Sequence, residues 1–121
     1  FTGFSTRAAA DRADAAVSES VARSRKTVLN VRREVKSAYL SLDEARARLL
    51  VAEKSAVMAE ESLRLVREEY EGGSADITRY LEAELDRNRT RIRAAAALYD
   101  RETARAEVGR AIGYWAKEGQ P

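Results

Sequence analysis

The chain of 121 residues contains no cysteine, no histidine and a single proline, Pro121, at its very end. Without His or Cys it lacks the usual zinc and haem ligands, the thiolate nucleophile and the best general base near neutral pH. The carboxylates that remain form no catalytic or metal-binding motif, so the chain reads as no enzyme, with no cofactor and no metal site. An absence of cysteine suits an oxidising compartment as well as any other. Aromatics are scarce at 7%, and the net charge is only +2, which argues against a nucleic-acid binder. No apolar run approaches the roughly 20 residues of a membrane-spanning helix, and no signal-peptide pattern is present. The sequence opens on Phe1 and reads as a piece excised from a longer protein.

What is abundant is Ala, Arg, Glu and Leu, the composition of long helices. Every seventh residue from Val21 is apolar: Val21, Val28, Val35, Leu42, Leu49, Ala56, Leu63, Tyr70. A second register, Val17, Ser24, Val31, Ala38, Ala45, Ala52, Ala59, Val66, is mostly small. A seam with one large and one small position per heptad is a coiled-coil seam in which two axes approach closely. At about 1.5 Å of rise per residue, an unbroken helix over residues 6–71 would be roughly 100 Å long, a length suited to spanning distance.

Punctuation divides the chain simply. Residues 1–5 read as an extended lead-in, with Ser5 or Thr6 as N-cap, and residues 6–71 as the long helix. Gly72-Gly73 stops it, and residues 72–76 form a hairpin tip. Ser74 or Asp76 can cap a returning helix over residues 77–116, anchored at its end by Trp115, before a tail over residues 117–121. The fold class is all-α, a long antiparallel two-helix coiled-coil hairpin. Its seam runs along Val21, Val28, Val35, Leu42, Leu49 and Leu63 of the first helix, and the second helix carries a facing stripe made of Leu81, Leu85, Ile92, Ala95, Tyr99 and Ala106.

With the turn centred near Gly73, partners sum to about 147, which sets Leu63 beside Leu85 and Leu49 near Tyr99. The second helix then covers the first only back to about Val31. Val17, Val21, Val28 and Leu29 lack an in-chain partner, although each is worth roughly 1.5–3 kcal/mol if buried. A further broken stripe, Leu29, Leu50, Val51, Val57, Met58 and Leu65, is expected a quarter to a third of a turn from the seam. Two apolar faces suit a helix with neighbours on two sides, as in a closed ring or bundle.

Charge is segregated. Residues 60–86 carry nine acidic and three basic side chains, a net of −6, against +8 for the remainder. The turn end is an acidic cap that would concentrate cations, and several of its carboxylates crowd the C-terminal end of the long helix, where the macrodipole disfavours them. Arg87, Arg89, Arg91 and Arg93 alternate and so fall on different sides of a helix. Arg23, Arg25, Lys26, Arg32, Arg33 and Lys36 read as a solvated coiled-coil flank.

The tip segment Tyr70-Glu71-Gly72-Gly73-Ser74-Ala75-Asp76-Ile77-Thr78-Arg79-Tyr80-Leu81-Glu82-Ala83-Glu84 resembles the periplasmic tip of TolC-like outer-membrane efflux proteins. Its tyrosine, the glycine three residues later, and the leucine and alanine in the first turns of the returning helix carry the likeness. Val35-Lys36-Ser37-Ala38-Tyr39-Leu40-Ser41-Leu42 is similar to the family's long-helix segment, and Val108-Gly109-Arg110-Ala111-Ile112-Gly113 to its closing stretch. Phe1-Thr2-Gly3 is similar to the passage where a barrel strand hands over to the long helix, with Phe4 where a second glycine is common.

The resemblance implies one hairpin repeat of a homotrimeric duct. Its α-barrel crosses the periplasm, and a β-barrel absent from this chain crosses the outer membrane. It implies a periplasmic adaptor and an inner-membrane pump as partners, with Tyr70, Glu71, Gly72, Gly73, Ser74, Ala75 and Asp76 as the tip that meets the adaptor. Ala75 stands where some members carry a basic residue that helps hold the entrance closed. The alternative reading is a coiled-coil scaffold, or the hairpin of an adaptor itself, acting through helix contacts alone.

Overall fold

A computed structural model describes residues 3–114, with side chains described from Arg7 onward. Its elements are α1 (Gly3–Glu71) and α2 (Ile77–Ala111), and among the described residues there is no strand. None of these helices is long and apolar enough to cross a membrane. The chain divides into two units, Phe1–Ser37 and Ala38–Pro121.

The first unit holds the opening stretch of α1. The helix already includes Gly3, Phe4 and Ser5, which corrects the extended lead-in expected over residues 1–5 and the N-cap expected at Ser5 or Thr6. One glycine in a run free of proline costs a helix only about 1 kcal/mol, too little to delay its start. Phe1 and Thr2 lie outside the described residues. Val17, Val21, Val28, Leu29 and Val31 are exposed, and Val35 is half-buried.

The second unit is a helical hairpin. On α1 the residues withdrawn from solvent are Leu42, Ala45, Leu49, Ala59, Leu63 and Val66, with Ala38, Ala52 and Ala56 half-buried between them. These are the two heptad registers of the sequence. Alternating leucine with alanine keeps the facing backbone close, and Ala45 is only 1% exposed.

On α2 the sequence reading is corrected. Leu81, Leu85, Ile92 and Tyr99 do not face α1; Leu85 is 49%, Ile92 69% and Tyr99 75% exposed. The inward positions are instead Ala83, Thr90, Ala97, Ala104 and Ala111, one per heptad, interleaved with Tyr80, Arg87, Ala94, Arg101 and Val108. At about 100° per residue this face lies roughly half a turn from the leucine stripe. The axial register is nevertheless as expected. Glu60 pairs with Arg87, Arg67 with Tyr80 and Glu69 with Arg79, and the numbers in each pair add to 147 or 148.

Alanines win the inward face because the α1 seam already supplies leucines at that level. Large side chains from both helices would force the axes apart, so small residues opposite large ones interdigitate at lower cost. Thr90 joins this seam with its hydroxyl satisfied locally: Oγ1 donates to the carbonyls of Asp86 at 3.0 Å and Arg87 at 2.9 Å. A polar residue so paired is buried without an orphaned group. The second α1 stripe is corrected in the same way. Leu50, Val51, Val57, Met58 and Leu65 are exposed and lie about half a turn from the inner face, more than the expected third.

The returning helix ends at Ala111, five residues short of the expected 116. Gly113 adopts φ +72°, its N–H donating to Arg110 O at 3.1 Å while the Ile112 N–H reaches Val108 O at 3.0 Å. That left-handed residue closes the last turn and turns the chain off the helix axis. Gly109 sits inside the helix and does not break it. The anchoring role expected of Trp115 lies outside the described residues.

Candidate functional site

The tip is built from backbone geometry first. Gly73 has φ +76°, Ser74 N–H donates to Glu69 O at 2.8 Å and Gly73 N–H to Tyr70 O at 3.0 Å. These are the paired bonds of a Schellman turn with Gly73 as its left-handed residue. The Glu69 carbonyl also accepts from Ala75 N–H at 3.1 Å and from Ser74 Oγ at 3.0 Å. Orphan groups at the end of α1 are thereby satisfied. A Cβ on Gly72 would lie 3.2 Å from the Glu68 carbonyl oxygen, so glycine suits that position as well.

Asp76 restarts the helix. Its backbone is extended, and its Oδ1 accepts from the Arg79 N–H at 2.8 Å. Of the two caps the sequence offered, Asp76 takes the N-cap role and Ser74 serves the preceding turn. The structure thus places Glu71, Gly72, Gly73, Ser74 and Asp76 together at one exposed bend, with Ala75 half-buried and Tyr70 exposed on the last turn of α1.

Side chains then tie the two helices together beside the bend. The Tyr70 and Tyr80 rings stack with centroids 5.5 Å apart and planes 25° apart. Arg67 lies over the Tyr80 ring, its Cζ 6.0 Å from the centroid, and its Nη2 is 3.4 Å from Tyr80 Oη. That hydroxyl pushes the Arg67 guanidinium further above its already high range. Tyr80 Oη donates to Glu84 Oε1 at 3.2 Å. Arg79 Nη1 is 3.1 Å from Glu69 Oε2, and Arg87 Nε 3.2 Å from Glu60 Oε2. In both cross-helix pairs α1 contributes the carboxylate and α2 the guanidinium.

Two of the carboxylates that crowd the C-terminal end of α1 are therefore neutralised from the opposite helix. Others are matched along α1 itself: Arg64 bridges Glu61 and Glu68, and its guanidinium holds the Glu61 carboxyl below its ordinary value of 4.5. Glu71, Asp76 and Glu82 stay exposed, so the surface of the tip remains acidic.

From sequence, Tyr70 and Tyr80 flank the turn, free to meet a partner or to pack the tip against itself; Arg67 and Glu84 were missed as the partners of Tyr80. The signal was present in the pairing sum of 147, which joins residue 67 to residue 80. It was obscured because Tyr80 falls outside the leucine stripe. Away from the tip, an open groove of about 570 Å³ runs between α1 and α2, lined by Val51, Ala52, Ser55, Thr90 and Ala97 with Arg48 and Arg93 beside it. Its floor consists of small side chains, and Glu44 at its edge pairs with Arg48 at 2.6 Å. Among the described residues no group of His, Cys, Asp or Glu side chains could hold a metal ion.

No curated protein and no solved structure matches the chain. The model of one protein family, described as outer membrane efflux protein, matches residues 1–114. A match that runs through both helices and the glycine turn between them shows that the chain belongs to the outer membrane efflux protein family, whose members build export ducts at the outer membrane.

Proposed function

We propose that this hairpin is a periplasmic segment of such a duct, forming part of its wall and presenting residues 70–76 as the tip that docks a periplasmic adaptor. The observation that carries the reading is the two-sided character of the helices. Their inner faces meet through alanine and leucine, while Leu50, Val51, Val57, Met58 and Leu65 on α1 and Leu81, Leu85, Ile92 and Tyr99 on α2 face outward. Apolar stripes of this extent on opposite sides of one hairpin exceed the scattered aliphatics of an ordinary surface and call for neighbouring helices.

In a closed wall each hairpin has such neighbours on both flanks, supplied by other repeats and by the other copies of a homotrimer. Val21 and Val28, exposed in the first unit, find their partners in the same way. The seam expected of Leu81, Leu85, Ile92 and Tyr99 is then one between hairpins. The acidic, exposed surface of the tip suits docking to an adaptor that works with an inner-membrane pump. Ala75 offers no charge with which to latch the entrance shut.

The test is Gly73→Val in the whole efflux protein. A β-branched residue at φ +76° distorts the turn while leaving the helix faces untouched. Efflux of a fluorescent dye and tip-to-adaptor cross-linking should fall while trimer assembly persists. Normal dye efflux together with normal cross-linking would sink the docking role.

A further inference from the structure

We propose that Tyr80, clamped by Arg67 and Glu84, is a positioning residue that fixes the orientation of the exposed Tyr70 ring on the docking tip. The inference rests on the tip reading above and names the part of the tip that a partner reads. Tyr70 stands on the last turn of α1 and is exposed, whereas Tyr80 stands on the first turns of α2 and is half-buried. An exposed tyrosine alone turns about two side-chain bonds. Stacked 5.5 Å from a second ring with the planes 25° apart, it rests in one orientation in the structure, and the stack favours that orientation.

Tyr80 is confined in its turn from three directions. Tyr70 covers one face, the Arg67 guanidinium lies 6.0 Å from its ring centre, and its hydroxyl bonds Glu84. Arg67 precedes Tyr70 by three residues and Glu84 follows Tyr80 by four, so each stands one turn behind the ring on its own helix. None of these four side chains takes part in the Schellman turn, which is made by backbone groups and Ser74 Oγ around Gly73. The tip therefore has two separable devices: a turn that sets the path of the chain, and a clamp that sets the aromatic. An exposed ring held in place loses little freedom when a partner covers it, which is where rigid aromatic anchors gain affinity.

The test uses the whole efflux protein, with dye accumulation, membrane level and tip-to-adaptor cross-linking measured for Tyr70→Ala, Arg67→Gln, Tyr80→Leu and Tyr80→Phe. Tyr70→Ala and Tyr80→Leu should both weaken cross-linking, and Tyr80→Phe, which keeps the stack, should restore most of it. Arg67→Gln should weaken adaptor affinity about two- to fivefold, the size of one exposed cation–π contact. The double variant Arg67→Gln/Tyr70→Ala should be no worse than Tyr70→Ala alone, because the clamp acts only through that ring. Additive losses, or wild-type behaviour of Arg67→Gln and Tyr80→Leu beside an impaired Tyr70→Ala, would overturn the proposal and leave the docking tip standing. If Tyr70→Ala and Gly73→Val both export dye and cross-link normally, the docking tip fails and the positioning role falls with it.

Discussion

Leu63→Ala and Ile92→Ala separate the inner face from the outer one. Leu63 is 4% exposed in the hairpin, and a leucine buried to that degree contributes roughly 1.5–3 kcal/mol by transfer alone. Truncation adds a cavity term, giving about 2–5 kcal/mol in closed cores. A seam only two helices wide can collapse from its open sides, which favours the lower half of that range, about 2–3 kcal/mol. Ile92 is 69% exposed, and a substitution there should stay within about 0.5 kcal/mol. Urea unfolding followed by helical circular dichroism reads both, at a concentration where sedimentation shows single chains. With a slope of about 1.5 kcal/mol/M, Leu63→Ala should lower the midpoint by about 1.3–2 M, and Ile92→Ala should move it by less than about 0.3 M. Equal losses for the two variants, with unchanged slopes, would refute the assignment of the α2 faces.

Ala52→Pro removes a backbone donor in the middle of the α1 seam and should cost roughly 3 kcal/mol or more, seen as loss of cooperative unfolding. Gly73→Ala at φ +76° should cost about 1–2 kcal/mol, while Gly72→Ala, where φ is ordinary, should cost less by the same urea titration. Asp76→Ala removes the N-cap of α2 and should lower stability by about 1 kcal/mol, with hydrogen exchange quickening first at Arg79. The Glu61 carboxyl is held below its ordinary 4.5 by Arg64, so its contribution is complete above that value and is lost as pH falls through the lower folded-state value. The urea midpoint should therefore be flat near neutrality and fall only in the acid range, and Arg64→Gln should weaken that acid dependence.

How much of this was legible in the sequence differs between the two helices. On α1, Leu42, Leu49 and Leu63 announce the inner face because they are large, apolar and seven residues apart, and Ala45 and Ala59 follow them in the second register. On α2 the same rule misleads. The large side chains Leu81, Leu85, Ile92 and Tyr99 mark the outward face, and the inward one is written mostly in alanine, with a threonine, a tyrosine, a valine and two arginines, a mixture of little hydropathy contrast. Periodicity finds the most apolar stripe on a helix, and it names the partner of that stripe only when the helix has a single apolar face. The turn was legible for a firmer reason: positive φ at Gly73 and a carboxylate cap at Asp76 are local requirements that no distant packing overrides. The Arg67–Tyr80–Glu84 clamp needed both the axial register and the rotation of α2, and only the register followed from sequence.

The outward turn of the α2 leucine stripe bears on what the hairpin is for. A helical hairpin that functions alone would place its largest aliphatics between its helices, because every leucine turned outward forgoes burial worth roughly 1.5–3 kcal/mol. Here the arrangement is inverted on α2: alanines occupy the seam, and Ile92 and Tyr99 are left to solvent. Close approach of α1 and α2 through small residues makes a thin, stiff pair, and large residues on its outer sides make that pair adhesive along both flanks. Those two properties are what a stave in a cylindrical wall requires, where each unit must be narrow and bind a neighbour on either side. A scaffold that binds one partner needs a single adhesive face, so the second stripe would then be a liability for aggregation. Placing asparagine at Val57 and at Ile92 in the whole efflux protein should therefore each reduce trimer yield while leaving the urea midpoint of the lone chain nearly unchanged. Loss of assembly from only one of the two positions would favour the single-faced scaffold.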